Sequence, residues 1–127
     1  MTFRPVQKIS DAELEIMRVL WQSEDALPVS EIRKRLKEKT NWEDTTIKTL
    51  VNRLVKKGAV TQESRKVYYY RPAVIEAEYG RNATDELIEK VYSGSARNLV
   101  AALISADTLS DEDLSELRAM FENGGKA

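Results

Sequence analysis

The sequence predicts a mainly α chain with one small β-hairpin, and three observations lead there. Apolar residues recur at helical spacing in six separate stretches. One segment, residues 59–72, instead carries strand formers around a polar centre. Charge is also divided along the chain. Residues 1–44 hold 8 basic and 9 acidic side chains, residues 45–72 hold 7 and 1, and residues 73–127 hold 5 and 11. The natural division of the 127 residues therefore falls near residue 73, with one lobe expected over 1–72 and a helical lobe over 73–127.

The first helix is announced by "SDAELEIMRVLWQS", where Ser10 and Glu13 form an S-x-x-E capping box and Leu14, Met17, Val19, Leu20 and Trp21 supply a stripe. Pro28 interrupts it, and Ser30 is the expected cap of a short second helix, "EIRKRLKEK", whose Ile32 and Leu36 face inward with Val29. The third helix is entered through "NWED", with Asp44 as the expected N-cap, and it closes on Lys56 and Lys57 before Gly58 at C′. Its Ile47, Leu50, Val51, Leu54 and Val55 fall at i, i+3, i+4, i+7 and i+8. "AVTQESRKVYYYRP" then reads as a hairpin with its tip near Ser64 to Lys66, ended by Pro72. A long helix is expected from Val74 to Tyr92 and is stopped by Gly94. "SARNLVAALISAD" and "SDEDLSELRAMFENGG" make two more, the last capped by Ser110 and ended at Gly124.

Composition removes most chemistry. The chain has no cysteine and no histidine, which excludes disulfides, thiolate or imidazole metal sites, cysteine nucleophiles and histidine-based triads. Its Asp and Glu residues lie on polar helix faces, and its five glycines form no phosphate loop. No enzymatic activity, metal or cofactor is expected. No apolar run approaches the ~20 residues needed to span a bilayer, and "MTFRPVQKISDAELE" has no signal-peptide stretch, so a cytoplasmic protein without membrane insertion is expected.

Three helices followed by a hairpin is the order of a winged helix-turn-helix, whose last helix of the trio enters the major groove while the wing follows the backbone. Between Thr45 and Gln62 there is no acidic residue, in a chain of net charge −1. Opposite the apolar stripe of the third helix lie Thr45, Thr49, Asn52 and Lys56, flanked by Lys48 on one side and by Arg53 with Thr46 on the other. A carboxylate there would meet phosphates, whereas hydroxyls, amides and cations donate to phosphates or base edges. Thr45, Thr46 and Thr49 are the expected positioning residues. Lys48, Asn52 and Arg53 are the longer reach, and Arg65 with Lys66 at the wing tip are expected backbone clamps. A plain solvated helix is the competing reading of this face. Lys56 and Lys57 would in any case offset the helix dipole, and Tyr68 to Tyr70, Trp21 and Trp42 read as packing residues.

These stretches resemble the BlaI/MecI/CopY family of penicillinase and copper repressors along nearly the full chain. The resemblance rests on "ISDAELEIMRVLW", "NWEDTTIKTLVNRLVKKGAV", "YYYRPAV" and "VYSGSARNLVAALISADTLSDEDLSELRAMF", and above all on the Trp42-to-Gly58 core. It implies a homodimeric repressor on palindromic operator DNA, with an amino-terminal winged helix and a carboxy-terminal three-helix dimerisation domain. Family contacts fall on Thr46, Lys48, Thr49 and Asn52, with Arg53 adjoining. The apolar "NLVAALIS" helix would be interface, so Leu87, Val91, Leu99, Val100, Leu103, Leu114, Leu117 and Phe121 are the expected dimerisation residues. Penicillinase repressors are induced through a membrane sensor protease and cut within a dimerisation helix, commonly between Asn and Phe. The matching pair here is Ala102 and Leu103, a departure from that pattern. With no cysteine, direct copper sensing by a cysteine motif is not expected, and a signal such as metal stress would have to act by another route. A winged helix serving as a protein-interaction module is the alternative from a different class.

Overall fold

The computed structural model describes residues 8–124. Nine elements follow one another: α1 (Asp11–Trp21), β1 (Leu27–Pro28), α2 (Val29–Leu36), α3 (Asp44–Lys56), β2 (Val60–Ser64), β3 (Tyr68–Pro72), α4 (Glu76–Val91), α5 (Ala96–Ser105) and α6 (Asp111–Glu122). The mainly α architecture with a small hairpin is as the sequence predicts. The chain divides into two compact units, Met1–Asn82 and Ala83–Ala127. The first takes in the opening turns of α4 because Trp21 reaches forward: its Nε1 donates to the Val74 carbonyl at 2.8 Å, and its ring lies 5.7 Å from that of Tyr79.

The core of the first unit is the meeting of three helical stripes with the sheet. Ile16, Met17 and Leu20 from α1, Ile32 and Leu36 from α2, and Ile47, Leu50, Val51 and Leu54 from α3 are buried, closed by Val60, Tyr70 and Val74. Ile16 belongs to this set although the expected stripe of the first helix omitted it, while Leu14 and Trp21 pack only partly.

The caps explain where helices begin. Ser10 and Glu13 form the full reciprocal box on α1, and Ser110 with Asp113 forms another on α6. Two caps differ from expectation. α2 starts at Val29 with Pro28 at N-cap, and α3 has Glu43 at N-cap with Asp44 already helical; neither has a side-chain cap bond. α3 ends as expected: Gly58 takes φ +80, its N–H reaches the Val55 carbonyl at 3.0 Å, and the Ala59 N–H reaches Leu54 at 3.0 Å. This double closure turns the chain straight into β2.

The sheet has the order β1-β3-β2, all antiparallel, with Gln62 opposite Tyr70 and Leu27 on the other side of Tyr70. β1 is an addition to the expected hairpin. Two residues carry no period-2 signal, and Pro28, which has no N–H, is tolerated because the strand lies at the edge.

In α4, α5 and α6 no residue is buried. Gly94 at φ +82 and Asp107 at φ +57 mark the breaks between these helices.

Candidate nucleic-acid interface

The recognition surface is made by subtraction. Because Ile47, Leu50, Val51 and Leu54 seat α3 in the core, the rotation of the helix is fixed, and Thr45, Thr46, Lys48, Thr49, Asn52, Arg53 and Lys56 are all left exposed. Lys48, Arg53 and Lys56 have no carboxylate within ion-pair distance among the described residues. Unneutralised cations beside hydroxyls and an amide make a face that donates in every direction. Thr49 is the exception within it: its hydroxyl donates to the Thr45 carbonyl at 2.9 Å, so the oxygen remains only as an acceptor.

The acids at the entrance to α3 are dealt with by α2. Nη2 of Arg33 donates to Oε1 of Glu43 at 3.0 Å, and Nη1 donates to Oδ1 of Asp44 at 3.3 Å. One guanidinium thus bridges the two carboxylates and offsets part of their charge beside the helix N-terminus. That terminus carries no side-chain cap, so its first N–H groups are available to an incoming anion. Arg33 escaped the sequence reading because a partner ten residues away has no helical spacing.

At the wing, Lys66 is exposed with no carboxylate partner among the described residues, while Arg65 is engaged. Its Nε bonds the Glu63 carboxylate, and its guanidinium lies over the Tyr69 ring at 4.2 Å from the centroid. The Glu63 hydrogen bond is the main reason its pKa rises above the ordinary arginine value. Arg65 therefore stiffens the tip, and a phosphate would have to compete with an exposed carboxylate that holds it weakly. Between the wing and α3 lies a cleft of about 450 Å³ lined by Pro28, Ser30, Thr45, Lys48, Val67 and Tyr68, among others. Tyr70 is buried, whereas Tyr68 is 48% exposed at the cleft, so the three tyrosines divide between core and surface. Burial, then Tyr68, pushes the Tyr70 phenol up.

The eight residues expected at a dimer interface lie on α4, α5 and α6. Leu87, Val91, Val100, Leu103, Leu114, Leu117 and Phe121 are exposed in the single chain, Phe121 to 75%, and Leu99 is half-buried. Ala102 and Leu103 sit inside α5, so the bond between them is helical. Among the described residues no cluster of three potential ligands could hold a metal ion, and no helix is long and apolar enough to cross a membrane.

Comparison with known proteins agrees with this geometry. The penicillinase repressor of Bacillus licheniformis is 32% identical over 120 residues, covering 94% of this chain and 93% of its own. The methicillin resistance regulatory protein MecI of Mammaliicoccus sciuri is 31% identical over 112 residues, covering 87% and 90%. Among solved structures, the Bacillus licheniformis BlaI monomeric form, determined in complex with the blaP half-operator, superposes with a TM-score of 0.51 at 36% identity over 61% of this chain and 94% of that one. The profile of the family described as penicillinase repressor matches residues 9–123. With that span, and with a winged helix whose third helix carries no acid after Asp44, the chain belongs to the penicillinase repressor family of DNA-binding transcriptional repressors.

Proposed function

We propose that this chain represses transcription as a homodimer, each copy placing α3 in the major groove of one half of a palindromic operator. The carrying observation is the exposed face of α3 from Thr45 onward, which holds no acid and carries Lys48, Arg53 and Lys56 without a carboxylate partner among the described residues. Thr45, Thr46 and Thr49 position the helix, Lys48, Asn52 and Arg53 reach bases or backbone, and Lys66 with Arg65 holds the flanking phosphates. The solved half-operator complex of a relative supports the ligand class. Half-sites about one helical turn apart, ~34 Å or a multiple, follow from two-fold symmetry.

The test is duplex binding across a salt series. Affinity for a palindromic duplex selected by the protein itself should fall steeply as salt rises, because each neutralised phosphate releases counterions. Lys48→Ala and Asn52→Ala should cost more on that duplex than on a scrambled one, by about 1–3 kcal/mol each. Binding that is insensitive to salt would favour the protein-interaction reading of the same fold.

Induction completes the proposal. Release follows cleavage between Ala102 and Leu103, driven by a membrane sensor protease responding to β-lactam, in the cytoplasm where the operator lies. The support is local: α5 contains no buried residue, so unwinding it to expose that bond gives up little packing. Co-expression with such a sensor under β-lactam should yield a fragment ending at Ala102 by mass spectrometry. An intact chain that nonetheless leaves the operator would point to another signal, such as metal stress.

A further inference from the structure

The sequence makes α2 look like an ordinary solvated helix with mixed charge, yet the structure sorts its charges. Glu31 is taken by Arg35 at 3.1 Å, and Lys39 leans on Glu15 at 3.9 Å. Arg33 is committed to Glu43 and Asp44. Lys34 and Lys37 are left exposed with no carboxylate partner among the described residues. Ser30, Arg33, Lys34 and Lys37 fall at i, i+3, i+4 and i+7, one stripe of the helix.

That stripe forms one wall of a cleft of about 340 Å³, and Asn41 and Trp42 from the turn before α3 form the other. The one acid in its lining is Glu43, which shares Arg33 with Asp44. Glu38, which has no ion-pair partner among the described residues, does not line it. Ser30 also lines the cleft that holds Thr45 and Lys48, so the stripe on α2 is continuous with the candidate recognition face of α3.

We propose that Lys34, Lys37 and Asn41 form a second seat for the DNA backbone, gripping phosphates that flank the groove entered by α3. This rests on the DNA-binding reading above. A nucleic acid strand suits the seat better than an isolated anion because the cationic stripe runs on through Ser30 to the cleft where Thr45 and Lys48 stand, with Asp44 there held by Arg33, instead of closing around one point. In a helix-turn-helix the helix preceding the recognition helix crosses the backbone, which is where α2 would carry these lysines.

The experiment uses the full chain, a duplex bearing one half-site selected by the protein, and a scrambled duplex of equal length. In Lys34→Ala/Lys37→Ala the slope of log affinity against log salt should become shallower by about two, since each phosphate contact contributes about 0.9. Affinity should fall by the same factor on both duplexes. Arg18→Ala/Lys90→Ala removes equal charge from exposed, ion-paired positions and should keep the wild-type slope. Wild-type binding with an unchanged slope in the α2 variant overturns the seat alone. A loss confined to the half-site duplex also overturns it, by assigning the lysines to base contact. A wild-type chain that binds neither duplex overturns the DNA reading together with the seat.

Discussion

Glu13, 1% exposed, is the one buried charged side chain among the described residues, and its surroundings explain how that is tolerated. Its Oε1 accepts from the Ser10 N–H at 2.8 Å and from Nζ of Lys57, which also donates to the Lys8 carbonyl at 2.7 Å. The carboxylate thereby ties the start of α1 to the end of α3, the helix that carries the candidate interface. Burial by itself would raise the Glu13 pKa, but the Lys57 and Ser10 hydrogen bonds outweigh it, and the net position is below the ordinary 4.5. A carboxyl with a depressed folded pKa is protonated first in the unfolded chain. Its stabilising contribution is therefore complete above pH 4.5 and is lost as pH falls through the native value. Glu13→Gln keeps an acceptor for Ser10 but removes the charge opposite Lys57, so it should cost about 1.5–3 kcal/mol at neutral pH. Thermal melts between pH 3 and 7 check this: the variant and the wild type should converge toward acid, and parallel curves would refute the assignment.

At the scale of elements, the junction between α3 and the wing depends on Gly58. Its φ of +80 sets the closure that sends Ala59 and Val60 into the core, and a Cβ built there meets nothing within 4 Å. The cost of Gly58→Ala is then purely conformational, about 1–2 kcal/mol, and Gly58→Asn should recover part of it. Urea melts of the two variants decide the point, because equal losses would mean side-chain volume and not backbone conformation is at fault. This glycine was legible in the sequence, as were the stripe of α3, the Ser10 box and the hairpin, because each is a signal spread over several residues at fixed spacing. What the sequence hid was pairwise. Glu43 and Asp44 are adjacent acids, and which of them caps α3 depends on backbone geometry that neither residue type dictates. The Glu13–Lys57 pair spans 44 positions. That Lys34 in α2 and Lys37 at its C-cap have no carboxylate partner among the described residues emerges only once the partners of Arg33, Arg35 and Lys39 are known. Of the candidate interface, the sequence displayed which residues stand opposite the apolar stripe, but not that Arg65 is already held by Glu63 and Tyr69.

At the scale of the molecule, the two units solve the burial problem differently. The unit through Asn82 closes a core around fully buried Ile16, Ile32, Ile47 and Leu54, whereas the unit from Ala83 onward presents Leu87, Val91, Val100, Leu103, Leu114, Leu117, Met120 and Phe121 at 36% exposure or more. The described residues of that unit include no buried side chain, which leaves it without the apolar burial that pays the entropy of ordering its helices, and a second copy of the same surface is the simplest source of it. Dimerisation and operator affinity should then fail together. Leu117→Asp/Phe121→Asp places two charges on α6 and should leave a chain that sediments near 14.5 kDa at concentrations where the wild type sediments at twice that mass. Because two half-sites bound through one dimer gain an effective concentration, the variant should lose about 10²–10⁴ in affinity for the palindrome while binding a single half-site like the wild-type monomer. Separating the two readouts matters. A variant that becomes monomeric yet holds the palindrome at full affinity would show that the exposed faces of α4 to α6 do not deliver the second half-site, and a wild type that stays monomeric at high micromolar concentration would leave those faces without the partner their chemistry requires.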